Sequence, residues 1–279
     1  MKMKTIKKIK RYFNALKGIS LVKNKIPVIR HILGLYDKDF VIYFLKNGLK
    51  LEVPNIKKNR TTILSIEEIF GREIYFTLFS NKKKVIIDLG AQAGIYSLYA
   101  ALKNKNAKIY ALEPDPDNFK QLCKNVEINK LQGIIIPFKE AVASKNGKLF
   151  FYISNQSSRS SSLFNIKTSG SKIMVDSISL QSLFEILELN RCDVLKVDIE
   201  GAEYEVFYNS PEEVIRKIDN ICMECHDFSN IKENYNKGGM KKFLQNNGFK
   251  IIKEEEEIII AKNIRISQAK SNAKEILSV

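Results

Sequence analysis

Tryptophan is absent from the 279 residues, proline occurs six times and cysteine four times. So little proline, alongside 44% hydrophobic and 10% aromatic residues, excludes wholesale disorder and leaves enough apolar side chain for one large core. Cys123, Cys192, Cys222 and Cys225 are too few in a chain of this length for a disulfide scaffold, and a reducing, cytoplasmic setting is expected. No run approaches the roughly 18–20 apolar residues that cross a bilayer. The first residues also lack the apolar stretch and small-residue cleavage site of a signal peptide. Acidic residues are missing from the first 36 positions, where ten Lys and Arg precede Asp37. Elsewhere 36 basic residues face 31 acidic ones, so the net charge of +15 is largely an N-terminal property.

No internal repeat is present, and four zones are expected. In residues 1–28, Ile6, Ile9, Phe13, Leu16 and Ser20 recur at spacings of three and four between lysines, the pattern of a basic amphipathic helix that Pro27 is expected to end. Residues 29–83 read as a small cap. Phe40 to Leu45 and Leu49 to Val53 flank Asn47-Gly48, a strong hairpin signal, and Ser65 followed by Glu68 suggests a capped helix start. From 84 to 263, short apolar runs alternate with helical patterns, which implies a parallel sheet with helices on both faces. Its last two strands, Phe249 to Lys253 and Glu257 to Ala261, leave no room for a helix between them and predict an antiparallel closing pair. Residues 264–279 form a polar tail.

The first strand of this third zone, from Val85, runs into Asp88-Leu89-Gly90-Ala91-Gln92-Ala93-Gly94 and then a helix. A glycine turn at that position lets backbone approach a ligand at the carboxyl edge of a sheet. The spacing is G-x-x-x-G rather than the G-x-G-x-x-G of a pyrophosphate-binding turn. The preceding Asp88 would repel a pyrophosphate and suit a ligand with a cationic part. At the end of the second strand, Glu113 can accept hydrogen bonds from both hydroxyls of a ribose. Either group alone could be a strand-end cap; in this order they favour a nucleoside-containing cofactor.

Three segments carry a resemblance. They are Val85-Ile-Ile-Asp-Leu-Gly-Ala-Gln-Ala-Gly-Ile-Tyr-Ser97, Ala111-Leu-Glu-Pro-Asp-Pro-Asp-Asn-Phe119 and Asp193-Val-Leu-Lys-Val-Asp-Ile-Glu-Gly-Ala-Glu203. With Cys222-Met-Glu-Cys-His226, they closely resemble the FkbM family of S-adenosylmethionine (SAM)-dependent methyltransferases, over roughly Phe40 to Ala261. Gln92 stands where that family commonly has Asn and keeps the amide. The resemblance implies a Rossmann-like class I methyltransferase, an α/β fold with a mostly parallel seven-stranded sheet, an antiparallel closing strand and a small N-terminal extension. It also implies SAM as cofactor and methyl transfer to a hydroxyl of a sugar, glycan, lipid-linked or natural-product acceptor. The residues expected around the cofactor are Asp88, Gly90, Ala91, Gln92, Gly94, Glu113, Pro114, Asn118, Ala141 and Asp198.

Methyl transfer to a hydroxyl needs alignment of the reacting atoms and removal of one proton. His226, Asp198 and Glu224 are the candidate catalytic residues. His226 is favoured as base because an unperturbed imidazole titrates near neutrality. Glu200 and Glu203 either cap the next helix or join the chemistry. A divalent metal bound by Asp198, Glu224 and His226 is a lesser alternative, but no fixed metal-ligand spacing is present and no metal is expected; Cys222 and Cys225 read as buried structural cysteines. The serine-rich stretch Ser157 to Ser162 is either a surface loop or a lid over the acceptor. The basic N-terminal helix is a candidate for peripheral membrane contact. A nucleic-acid methyltransferase is the lesser alternative, since no recognition module or stacking motif accompanies the charge. A third reading is a catalytically inactive protein that binds membrane surfaces or polyanions.

Overall fold

The computed structural model describes residues 2–55, 61–75, 84–153 and 171–265, with side chains from residue 9 onward. The chain opens with helix α1 (Lys2–Ser20) and helix α2 (Lys25–Leu33). Pro27 does not end the first helix. It lies in the first turn of α2, where its missing N–H would have had no helical partner anyway. Strands β1 (Phe40–Phe44) and β2 (Lys50–Pro54) form the expected hairpin, with Gly48 at φ 97° in the turn. The free edge of β2 is blunted by two asparagines from later in the chain: the backbone N–H groups of Lys50 and Glu52 donate to the side chains of Asn129 and Asn125 at 2.9 and 2.8 Å. Helix α3 (Thr61–Ile66) continues into a π-helical turn, Glu67–Gly71. Ser65 is therefore inside a helix rather than at its start. Its hydroxyl donates back to the Thr61 carbonyl at 3.1 Å, a bond that only an already formed helical turn can offer.

The main sheet begins with β3 (Lys84–Leu89), followed by α4 (Ile95–Lys103), β4 (Ala107–Leu112), α5 (Pro116–Ile128) and β5 (Ile135–Phe138). Asp115 caps α5, accepting from the N–H groups of Asp117 and Asn118 at 2.9 and 3.1 Å, with Pro116 in the first turn. Then come β6 (Ala141–Ala143), β7 (Gly147–Ile153) and β8 (Ser171–Ser179), a separate three-stranded sheet that the strand–helix alternation did not foretell. The stretch from Ser157 to Ser162 lies outside the described residues. The chain ends with α6 (Leu180–Ile186), β9 (Val194–Val197), α7 (Glu203–Tyr208), α8 (Glu212–Arg216), β10 (Asn220–Glu224), α9 (Lys237–Asn246), β11 (Phe249–Glu255) and β12 (Ile258–Asn263).

The seven-stranded order is β11-β12-β10-β9-β3-β4-β5. All neighbours pair in parallel except β12, which is antiparallel to both β10 and β11. The chain leaves β3 in one direction through β4 and β5, then returns to its other side through β9. The carboxyl ends of β3 and β9 thus flank the topological switch point, where open α/β sheets bind ligands. One apolar core lies on each face. The first joins β3, α4 and α5 to Val41, Tyr43, Leu51 and Val53 of the hairpin; the second packs α6, α7 and α9 on the opposite face. Cys192, Cys222 and Cys225 are buried free thiols.

Candidate active site

Parallel register sets the site's foundation. Asp88 stands opposite Ala111 on β4 and opposite Lys196 on β9. Both side chains are buried, and Lys196 Nζ lies 3.1 Å from Asp88 Oδ1. The other Asp88 oxygen accepts from the Ser97 hydroxyl at 2.6 Å. Lys196 also donates to the carbonyls of Leu89 and Gly90, at 3.3 and 2.7 Å. Burial alone would lower its pKa, but Asp88 and Asp198 outweigh burial and raise it, so the ammonium stays charged. Asp88, expected to face a cationic ligand, instead faces this lysine beneath the turn.

Above that pair the backbone turns sharply. Gly90 has φ 74°, and a Cβ there would come 1.8 Å from the Asp198 carbonyl oxygen, so no other residue fits. Gln92 takes a left-handed φ of 49°. Its N–H donates to Glu113 Oε2 at 2.8 Å, and the Asp115 N–H donates to Glu113 Oε1 at 2.9 Å. Glu113 is buried, and loss of water pushes its pKa up to about 7 despite these two donors.

Two clefts open at the carboxyl edge. The first spans about 470 Å³, its open mouth included. Of the expected cofactor residues, Gly90, Gln92, Glu113, Pro114, Asn118, Ala141 and Asp198 line it. Asp88 and Gly94 line neither cleft: one is covered by the turn, and the other starts α4 packed against Leu122. Ala91 lines the second cleft. Phe151 of β7 closes the first cleft from the small sheet, and no local pattern in the sequence had pointed to it.

The second cleft is larger, about 1850 Å³. Helix α1 forms part of its wall through Lys10, Arg11 and Asn14, so the N-terminal helix is part of the site rather than an appendage outside it. Lys10 pairs with Glu256 in the β11–β12 turn. Tyr75 donates to Glu224 Oε2 at 3.0 Å on the same side. Seven carboxylates and four Lys or Arg side chains line this cleft. Gly90, Gln92, Asp198 and Glu200 line both clefts and form the partition between them.

Behind the partition stands His226. Its Nδ1 lies 3.0 Å from Glu203 Oε1, and its Nε2 lies 3.4 Å from Glu200 Oε2 and 3.8 Å from Glu224 Oε1. Burial lowers its basicity, but Glu203, Glu200 and Asp198 together raise its pKa to about 10. It is therefore an imidazolium at neutral pH with no lone pair to accept a proton, and it lines neither cleft. The expectation of a histidine base assumed an unperturbed ring, and the surrounding carboxylates overturn that assumption. Glu200, at φ 52°, is also raised but for a different reason: burial, followed by Asp198, pushes its pKa up to about 8. Asp198, Glu200 and His226 each offer one ligand atom within 4.8 Å of the others, a set that can hold a divalent cation although no ligand spacing marks it in the sequence.

The chain matches the Methyltransferase FkbM domain over residues 88–251. It is 26% identical to methyltransferase sdnD of Sordaria araneosa, over 72% of this chain and 91% of that protein. It is 27% identical to hexuronic acid methyltransferase AglP of Haloferax volcanii, over 60% of this chain and 70% of that protein. Among solved structures, methyltransferase FkbM from Methylobacillus flagellatus KT overlays with a TM-score of 0.45 at 11% identity. That overlay covers 73% of this chain and 54% of the other, so this chain spans about half that length. The domain match takes in more than half of the chain, including Gly90, Gln92, Asp198 and Glu200 of the partition, and the protein belongs to the FkbM methyltransferase family.

Proposed function

We propose that the protein transfers a methyl group from SAM to a hydroxyl of a sugar, glycan or lipid-linked acceptor. The observation that carries this reading is the shared partition: a donor in the first cleft and an acceptor in the second would meet across Gly90, Gln92, Asp198 and Glu200. The first cleft suits a nucleoside. It offers a buried carboxylate at a strand end for two hydroxyls, and apolar surface from Ala141, Val142 and Phe151 for a flat ring. SAM, when bound there, supplies a methyl group on a sulfonium sulfur, whose displacement demands in-line approach of the acceptor oxygen.

The chain's own groups do the rest. Glu113 accepts the ribose hydroxyls, and Asp198 orients groups at the partition. Glu200 takes the acceptor's proton in its ionised form, which gains ground as pH rises toward about 8, so turnover is expected to climb across that range. His226 stays cationic and positions Glu200, while Glu224 receives the acceptor from the far side. The preponderance of carboxylates in the second cleft disfavours a polyanion such as nucleic acid. Neutral oligosaccharides are therefore the first acceptors to try, and a neutral oligosaccharide carrying a single hexuronic acid the second, on the match to a protein named for hexuronic acid methylation.

Calorimetric titration with SAM tests the first cleft. Glu113→Ala is expected to weaken binding at least about ten-fold, since two hydrogen bonds to a charged group are lost. Absence of binding to the wild type would overturn the reading. The pH dependence has a defined sign. Burial holds the carboxyl above its ordinary value of 4.5, so in the free protein its stabilising contribution is present below that value and lost as pH rises through about 7. Only the ionised form accepts from both hydroxyls at full strength. SAM affinity therefore rises from about pH 6 to about pH 8, and the rise vanishes in Glu113→Gln.

A further inference from the structure

Helix α1 is packed the opposite way from the usual surface helix. Its small residues, Ala15 and Gly18, face the protein, and a Cβ on Gly18 would come 2.3 Å from the Ile63 carbonyl oxygen. Its large apolar stripe faces outward: Ile9, Tyr12, Phe13 and Leu16, spaced as one helical face, are 47–62% exposed. Helix α2 repeats the arrangement. Val28 and Ile32 are buried, while Ile26, Ile29 and Leu33 point away from the core. Strand β1 does so a third time, with Val41 and Tyr43 inside and Phe40, Ile42 and Phe44 outside. Among the described residues, eleven of the eighteen exposed large hydrophobic side chains fall between Ile9 and Phe44. Scattered exposed apolar residues need no explanation, but such a concentration marks an interaction surface.

The three elements meet at one junction. The segment linking α1 to α2 runs along the edge of β1: the Lys23 N–H donates to the Phe44 carbonyl at 2.7 Å, and the Lys46 N–H to the Leu21 carbonyl at 2.9 Å. Asn24 fastens the same edge, bonding the Ile42 carbonyl and the Phe44 N–H. Exposed Lys17, Lys23, Lys25 and Arg30 lie among the apolar faces, and no acidic residue precedes Asp37. None of the helices described is long and apolar enough to cross a membrane.

We propose that the outward faces of α1, α2 and β1 dock the protein on the surface of an anionic lipid bilayer. Apolar side chains ringed by cations match the acyl–headgroup boundary of such a membrane. A second copy of the chain would bring the same positive charge against itself, and a nucleic acid would leave the apolar stripe in water. Docking of this kind stands apart from the methyl-transfer reading and would hold even if SAM did not bind. It also gives α1 two duties, since Lys10, Arg11 and Asn14 on the same helix line the second cleft.

The test is sedimentation of the full chain with vesicles of phosphatidylcholine alone and with about a third phosphatidylglycerol. The protein is expected to pellet at least about ten-fold more with the anionic vesicles, and less as salt is raised. Phe13→Ser/Leu16→Ser/Ile26→Ser, at side chains that are 61%, 62% and 75% exposed, is expected to keep its melting temperature and lose that partitioning about ten-fold or more. Lys17→Gln/Lys23→Gln/Lys25→Gln is expected to lose the preference for the anionic vesicles. Wild type remaining in the supernatant, or the serine variant pelleting like wild type, would overturn the proposal. So would a dimer in analytical ultracentrifugation that the serine variant abolishes, because the faces would then belong to a second copy.

Discussion

Replacing Lys196 with Met is expected to destabilise the fold by about 3–5 kcal/mol, because it strands a carboxylate with no access to water. Asp88 is fully buried and Lys196 nearly so. The ammonium directs its hydrogen bonds at the Leu89 and Gly90 carbonyls, so Asp88 Oδ1 is held by nearby charge rather than by an aligned hydrogen bond. Removing the lysine therefore strands one charge and takes the Gly90 carbonyl's bond with it, while the Leu89 carbonyl keeps the Asp198 N–H at 3.1 Å. For a chain of this size the melting temperature should fall by roughly 6–20 °C. The double variant Lys196→Met/Asp88→Asn removes both charges and keeps a partner for the Ser97 hydroxyl, and should recover about 0.5–3 kcal/mol relative to the sum of the single changes. Strict additivity in denaturant titrations would mean that the two groups do not interact. A functional consequence follows from the same contacts. The carbonyls that Lys196 holds belong to the turn lining both clefts, so SAM affinity should fall with stability in the single variant.

Glu200→Gln is expected to lower kcat by about 10²–10⁴-fold while leaving the SAM dissociation constant nearly unchanged. The amide keeps the shape of the partition and the left-handed backbone but cannot take a proton. Glu200 lines both clefts and His226 lines neither, which makes the carboxylate the group that reaches an acceptor hydroxyl. The reverse pattern, a small loss in Glu200→Gln and a full loss in His226→Gln, would return the base to the histidine. The assay uses whichever oligosaccharide supports turnover and is run before and after treatment with EDTA. A wild-type rate indifferent to EDTA leaves proton removal to the carboxylate. A rate that collapses and returns with Mg²⁺ or Mn²⁺ assigns Asp198, Glu200 and His226 to a cation instead.

The contrast between His226 and Glu200 shows where local reading stops. Both residues are plain in the sequence, Glu200 in the segment Asp193 to Glu203 and His226 in the segment Cys222 to His226. Which of them holds the proton depends on carboxylates that arrive from β9, the turn after it and β10. Burial and like charge raise Glu200 to about 8, while attraction to Glu203, Glu200 and Asp198 outweighs burial and raises His226 to about 10. Ser65 and Pro27 make the same point for the backbone. Each is a sound boundary signal, and each was outweighed by where the neighbouring helix packs. The sheet of β6, β7 and β8, which brings Phe151 to the first cleft, left no trace in the strand–helix alternation because a small satellite sheet has no fixed period or spacing relative to the main one.

By itself the sequence determined the alternating α/β order, the closing antiparallel pair, the glycine turn at Gly90 and the carboxylate at Glu113. Each is written in contiguous residues through periodicity, steric demand or a strand end. Only the tertiary structure decided that Asp88 would face Lys196 rather than a ligand, that the N-terminal helix would wall the second cleft, and that its apolar stripe would look outward. A stripe of apolar side chains states that a helix has a face to cover. What covers it is a matter of non-local packing: here two small residues, Ala15 and Gly18, let the helix approach the protein more closely on its other side.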